Sequence, residues 1–501
     1  MPQPYNLPNM MTQPAYISTS DLLNAIQQRQ ISSLEAVDHF IERIEQLNPS
    51  INAVVVFDYE RARERARQAD AALARGESWG ALHGLPMTIK ESYEVDGLPT
   101  TSGAPAWKDH VSSSNADAVQ KLVDAGAIVL GKTNVPIYTG DWQSYNVIYG
   151  TTNNPWDETR TPGGSSGGAA AALAAGLTPL ELGSDIGGSI RTPAHYCGVY
   201  GHKPSYGIVS LRGHMPGPPG TQSDGDLSVA GPMARTAVDL QLALDVLAGP
   251  RALEAKAWKL DLPPARANKL TDFRVAYWLD DADCAVDSGM REQLEIMVAA
   301  LAQAGVQVRN LADDGHRLAD FSAVYNSLLG AVMGTGLPPR VFEAMQANAP
   351  GFAEQEAQGF LPRGGAAYLG SMVMLHRRWL SLNEKRAKLR QRWEQLFTEF
   401  DVLLTPVVPL TAFPHQQEGE FMARTLEING RSRPYIDHFP WIALATLLGL
   451  PATSAPIGLC SEGLPINVQI IGPYLEDKTT LVFAEKLAEV MGGCQVPLGF
   501  E

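Results

Sequence analysis

Cysteine is scarce. Cys197, Cys284, Cys460 and Cys494 lie far apart and form no C-x-x-C pair. This excludes a zinc ribbon and a dithiol redox motif and predicts buried free thiols in a reducing compartment. No run of about 18 apolar residues occurs, so no membrane-spanning helix is expected. The first residues, MPQPYNLPNMMTQPAYISTS, lack both a positive charge and an apolar core. No secretory signal is therefore expected, and the chain reads as cytoplasmic. Basic residues are the minority, 39 against 54 acidic, for a formal net charge of −15. Nucleic acid and anionic membrane are disfavoured as partners on that ground. The ten histidines contain no H-E-x-x-H, and neither metal nor cofactor is expected.

What is present is apolar content enough for a sizeable core, 45% over 501 residues. Strand and helix patterns alternate without a repeat period, which implies a layered α/β fold. The expectation is one domain over residues 1–501: a large mixed β-sheet core with helices on both faces. An extended arm over 1–17 is punctuated by Pro2, Pro4, Pro8 and Pro14, and a helical cover is expected over about 320–400. Ser32 with Glu35 makes a capping box before an apolar helix face. Residues 85–90, Leu-Pro-Met-Thr-Ile-Lys, form a short apolar strand ending in a lysine. Residues 132–156 read as loop, and so do 212–219. The stripe Leu375, Trp379, Leu382, Leu389, Trp393, Leu396 and Phe400 marks a long helix. Its basic cluster, with Arg377, Arg378, Lys385 and Arg392, is a solvated face.

The chain is organised around TPGGSSGGAAAALAAGLTPLELGSDIGGSIRTP, residues 161–193. It holds two glycine-flanked serine sites, at Ser165-Ser166 and at Ser189. Glycines beside a serine allow sharp turns and bring bare N–H groups near a reacting atom. A Gly/Ser linker would have polar, unpatterned flanks, whereas these are alanine-rich and apolar.

This stretch resembles the signature of the amidase signature family, serine hydrolases of amides: G-G-S-S-G-G followed by G-G-S-I-R, with Ser165 and Ser189 24 residues apart. Further blocks run in the family's order: Met87–Lys90, Gly131–Asn134, Cys197-Gly198 through Ser205, and GLPINVQIIGP near the C-terminus. The resemblance implies a Ser–cis-Ser–Lys triad, with Ser189 as nucleophile, Ser165 as bridging hydroxyl and Lys90 as base. It implies an oxyanion hole from the N–H groups of Ile186, Gly187, Gly188 and Ser189, with Ser166, Asp185 and Arg191 in support. A lysine base must be neutral, which burial can achieve. Ser184 stands where many members have threonine. His195, Tyr196 and His202 flank Cys197 as packing or pocket-shaping groups.

The expected reaction is hydrolysis of small neutral amides through an acyl-enzyme, by the chain alone or as a homodimer. Pocket candidates are Tyr138, Gly140, Asp141 and Trp142, within apolar and aromatic loops at 138–145, 215–222 and 328–337. Lysine and arginine are nearly absent from these loops, so no cation is offered to the carboxylate of glutamine. Two other readings use the same residues. One is an α/β-hydrolase elbow, G-x-S-x-G, with Ser166 as nucleophile, but prolines rather than a strand precede it. The other is the glutamine-hydrolysing component of a tRNA-dependent amidotransferase, whose segment corresponding to Gly213–Gly220 differs.

Overall fold

A computed structural model describes residues 14–501. Its framework is an 11-stranded sheet. In chain order the strands are β1 (Val54–Phe57), β2 (Pro86–Lys90), β3 (Ile128–Thr133), β4 (Leu180–Asp185), β5 (Tyr200–Lys203), β6 (Val229–Ala234), β7 (Arg274–Tyr277), β8 (Gln307–Asn310), β9 (Val402–Pro406), β10 (Ala452–Leu459) and β11 (Pro465–Ile471). They lie in the order β1-β3-β2-β4-β6-β5-β10-β11-β9-β7-β8. Pairing is parallel for β3-β2-β4 and β9-β7-β8 and antiparallel at all remaining junctions, so the sheet is mixed.

The central strands are buried along their whole length, as in β2, β4 and β6, because helices cover both faces. On one face the Gly167–Ala174 and Arg191–Cys197 helices build a small core with Ile190, Val199 and Met233. Alanine and glycine dominate the first of these, and its eight residues are all buried. The larger core takes in the Ser33–Ile51 helix, whose Ser32/Glu35 capping box forms as expected.

The helical cover is present as Ala319–Met333, Pro339–Asn348, Phe352–Ala357, Gly365–Ser371 and His376–Glu399. Along the last of these Leu382, Leu389, Trp393 and Phe397 are buried, whereas Leu375, just before the helix, is exposed and Leu396 is only partly covered. The expected arm lies mostly outside the described residues. Its described end departs from expectation: Pro14–Tyr16 is a 3-10 turn, with Ala15 and Ile17 buried. The loop expected from 132 begins two residues later, because Lys132 and Thr133 complete β3. Cys197 and Cys284 are buried free thiols, whereas Cys460 and Cys494 are only partly covered.

Candidate active site

β2 ends at Lys90, and alternation along the strand places Thr88 and Lys90 on one face. Lys90 Nζ lies 2.7 Å from Ser165 Oγ and 2.9 Å from both Ser166 Oγ and Ser184 Oγ. The side chain is fully buried. Burial brings its pKa down to about 7, against the opposing charges of Asp185 and Glu181. Burial likewise pushes the Glu181 carboxyl up to about 8, so both groups are driven toward their neutral forms. A neutral amine with three hydroxyl neighbours donates to two and accepts from one. Lys90 is thus arranged to take a proton from a serine.

The Gly164–Ser165 peptide is cis. Gly164 packs so closely that a Cβ there would sit 2.5 Å from Asp141 O. Ser166 caps the Gly167–Ala174 helix and donates its N–H to Ser189 O at 3.1 Å, which draws the two serine sites together. No hydrogen bond joins Ser165 to Ser189 among the described residues. No strand leads directly into Ser166, so the elbow geometry is absent.

Residues 185–191 form a tightly held loop. Asp185 and Arg191, both fully buried, make a two-point ion pair at 2.8 and 3.0 Å. An ordinary surface pair is thereby ruled out. Arg191 reaches further, to Gln469 Oε1 at 2.5 Å and Thr446 Oγ1 at 2.7 Å. Asp185 accepts from the N–H groups of Gly188 and Ile190. Burial raises its pKa, but the charge and hydrogen bonds of Arg191 outweigh this and hold it below the usual carboxylate value. The Gly188 N–H, expected to face a reacting oxygen, is therefore occupied by Asp185 Oδ1 at 3.0 Å. The N–H groups of Ile186, Gly187 and Ser189 have no acceptor among the described residues. Tyr325 donates to Ile186 O and Trp142 Nε1 to Gly187 O, which fixes the two intervening peptides from outside.

A cleft of about 570 Å³ adjoins the site through Asp141, whose carbonyl packs against Gly164. Gly140 and Asp141 line it with Ile137, Tyr145, Tyr368 and Phe421 among others, whereas Lys90, Ser165, Ser189 and the 185–191 loop do not. Trp142 is instead 3% exposed and stacked on His438, a wall rather than an open surface. Tyr138 turns away, with its ring edge-on to Trp107. Neither 215–222 nor 328–337 lines this cleft; Met215, Leu328 and Leu329 are core. The walls come from 368–372 and 420–422, which carry no motif to announce them. Another unforeseen residue is Arg424, whose guanidinium pairs with Asp141 Oδ2 at 2.5 Å and donates to Tyr145 at 2.8 Å. Tyr435 completes the network by donating to Asp141 Oδ1 at 2.7 Å.

His195 accepts from Asn467 N–H at Nδ1, so its Nε2 donates to Leu410 O, and both nitrogens are spent on packing. His202 and Ser205 share the Asp477 carboxylate. Ser184, which stands where many family members have threonine, touches Lys90 directly.

Residues 35–481 match the family model described as Amidase. The chain is 30% identical over 494 residues to the A component of the glutamyl-tRNA(Gln) amidotransferase of Nitrosococcus oceani, covering 94% of this chain and 97% of that protein. It is 32% identical over 509 residues to fatty-acid amide hydrolase 2-A of Danio rerio, covering 96% and 90%. A solved bacterial aryl acylamidase of the amidase signature family superposes with a TM-score of 0.76 at 25% identity, covering 95% and 96%. With the family model spanning nearly all of it and relatives matching end to end, the chain belongs to the amidase family, the amidase signature enzymes.

Proposed function

We propose that this protein hydrolyses neutral aryl or alkyl amides, with carbamates or esters as further substrates, through an acyl-enzyme on Ser189. The observation that carries this reading is the buried Lys90 amine 2.7 Å from Ser165. Neutral Lys90 takes a proton from Ser165 as Ser165 takes one from Ser189, whose oxygen then attacks the amide carbon. The carbonyl oxygen becomes an oxyanion served by the N–H groups of Ile186, Gly187 and Ser189. The proton returns through the same relay to the leaving amine. Water then repeats the attack, with release of the carboxylate and restoration of Ser189. No metal or cofactor takes part in these steps, and a cytoplasmic site belongs to the same reading.

The cleft supports an apolar acyl or aryl group, since most of its walls are aromatic and aliphatic, beside the carboxylates of Asp141 and Glu420. Arg424 does not alter this, because Asp141 already engages its charge. The likeness to glutamyl-tRNA(Gln) amidotransferase components favours a second reading, glutamine hydrolysis within a complex. The purified chain decides between them. An anilide is expected to show a far higher kcat/KM than glutamine, and Ser189→Ala to fall to near background on both. A clear preference for glutamine overturns the first reading, and substantial activity of Ser189→Ala overturns the nucleophile.

A further inference from the structure

A second cavity of about 380 Å³ shares no lining residue with the cleft. The long His376–Glu399 helix contributes Arg386, Ala387 and Arg390 to it, and the end of the Phe439–Leu448 helix closes it with Leu447 and Gly449. Its two arginines differ in circumstance. Arg386 is satisfied, by Asp226 Oδ1 at 2.7 Å and by Asn383 Oδ1 at 3.0 Å. Arg390, partly buried, has no carboxylate partner among the described residues. Its Nε donates to Leu448 O at 2.7 Å, and the guanidinium lies 4.9 Å from the centre of the Tyr474 ring. Capping the Phe439–Leu448 helix accounts for that Nε and leaves both terminal nitrogens without an acceptor among the described residues. Such a fork matches a carboxylate in shape and charge. Asn383 accepts from Arg386 through Oδ1, and its amide nitrogen is a second donor without an acceptor among the described residues. Leu227, Ala387 and Leu447 supply apolar wall beside Tyr206, Thr446 and Tyr474, and the volume exceeds what a bare inorganic ion fills.

We propose that this cavity is a second binding site, for a small organic monocarboxylate held by Arg390 and Asn383 with its apolar body against Leu227 and Leu447. Benzoate, inorganic phosphate and the neutral isostere benzamide, titrated calorimetrically into the full-length protein carrying Ser189→Ala so that benzamide is not hydrolysed, test it. Benzoate is expected to bind saturably and benzamide and phosphate at least tenfold more weakly. Arg390→Gln is expected to weaken benzoate at least tenfold while kcat/KM for amide hydrolysis, measured with Ser189 in place, is unchanged, which separates this site from the catalytic cleft. Ala387→Trp, which fills the cavity from an exposed helix position, should do the same and decides the matter if Arg390→Gln melts early or fails to fold. Absence of benzoate binding, benzoate affinity unchanged in Ala387→Trp, or equal affinity for benzamide or phosphate overturns the proposal.

Discussion

Burial of Lys90 favours its neutral amine over the ammonium. The proposed base works only when neutral, and its folded pKa lies at about 7 because burial disfavours the ammonium. Below that pH the amine is protonated and idle. kcat/KM should therefore rise about tenfold per pH unit up to near 7 and level off above it. A profile peaking at pH 4–5 is the contrary result. Ser184 belongs to the same residue-level argument, since its hydroxyl is one of three against Lys90 Nζ. Ser184→Ala should lower kcat about three- to tenfold, the worth of one net hydrogen bond, whereas Ser184→Thr should retain most of the rate. Equal losses in both would show that the hydroxyl is not what matters.

The 185–191 loop is the element that decides whether an oxyanion could be bound. Its shape depends on one buried carboxylate that accepts from the Arg191 guanidinium and from the backbone N–H groups of Gly188, Ile190 and Arg191. Asp185→Asn leaves Arg191 charged, buried and short of its partner. Breaking such a pair costs about 3–5 kcal/mol, to be read from urea unfolding. A change below about 1 kcal/mol, the range of a surface pair, would contradict the burial argument. Gly188 is confined for a different reason. Its φ is +87°, and a Cβ there would meet Thr192 Oγ1 at 2.7 Å. That explains why a glycine precedes the serine.

At the scale of the whole molecule, the sheet is assembled from both halves of the chain. β5 ends the N-terminal group of strands and pairs with β10, residues 452–459, through Lys203, His202 and Gly201. The seam is polar and buried: His202 bonds Thr453 and Asp477, Asn467 bonds Ala194 and Val199, and Arg191 bonds Gln469. Residues 1–260 expressed alone would expose the β5 edge and leave Arg191 and His202 short of partners. That fragment is expected to aggregate or to lack a cooperative melt, while the full chain melts in a single transition. A soluble, cooperatively folding fragment would show instead that the halves are independent.

The amino-acid sequence by itself determined what depends on neighbours along the chain. A capping box and an apolar face placed the helix at 33–51, and an apolar stripe placed the one at 376–399. Glycines around Ser165 and Ser166, with a lysine closing an apolar strand, marked two of the three hydroxyls that meet at Lys90, and Ser184 is the third. Strands β6 and β10 escaped notice because, fully covered and interrupted by glycine or proline, they show no alternation of polar and apolar residues. Tertiary structure decided what depends on residues distant in sequence. Arg424 meets Asp141 across nearly three hundred positions, the cleft takes its walls from 368–372 and 420–422, and Asp185 withdraws the Gly188 N–H from the loop's free donors. None of these leaves a local signal, because a side chain's partner across a fold is set by how the elements pack and not by spacing within either segment.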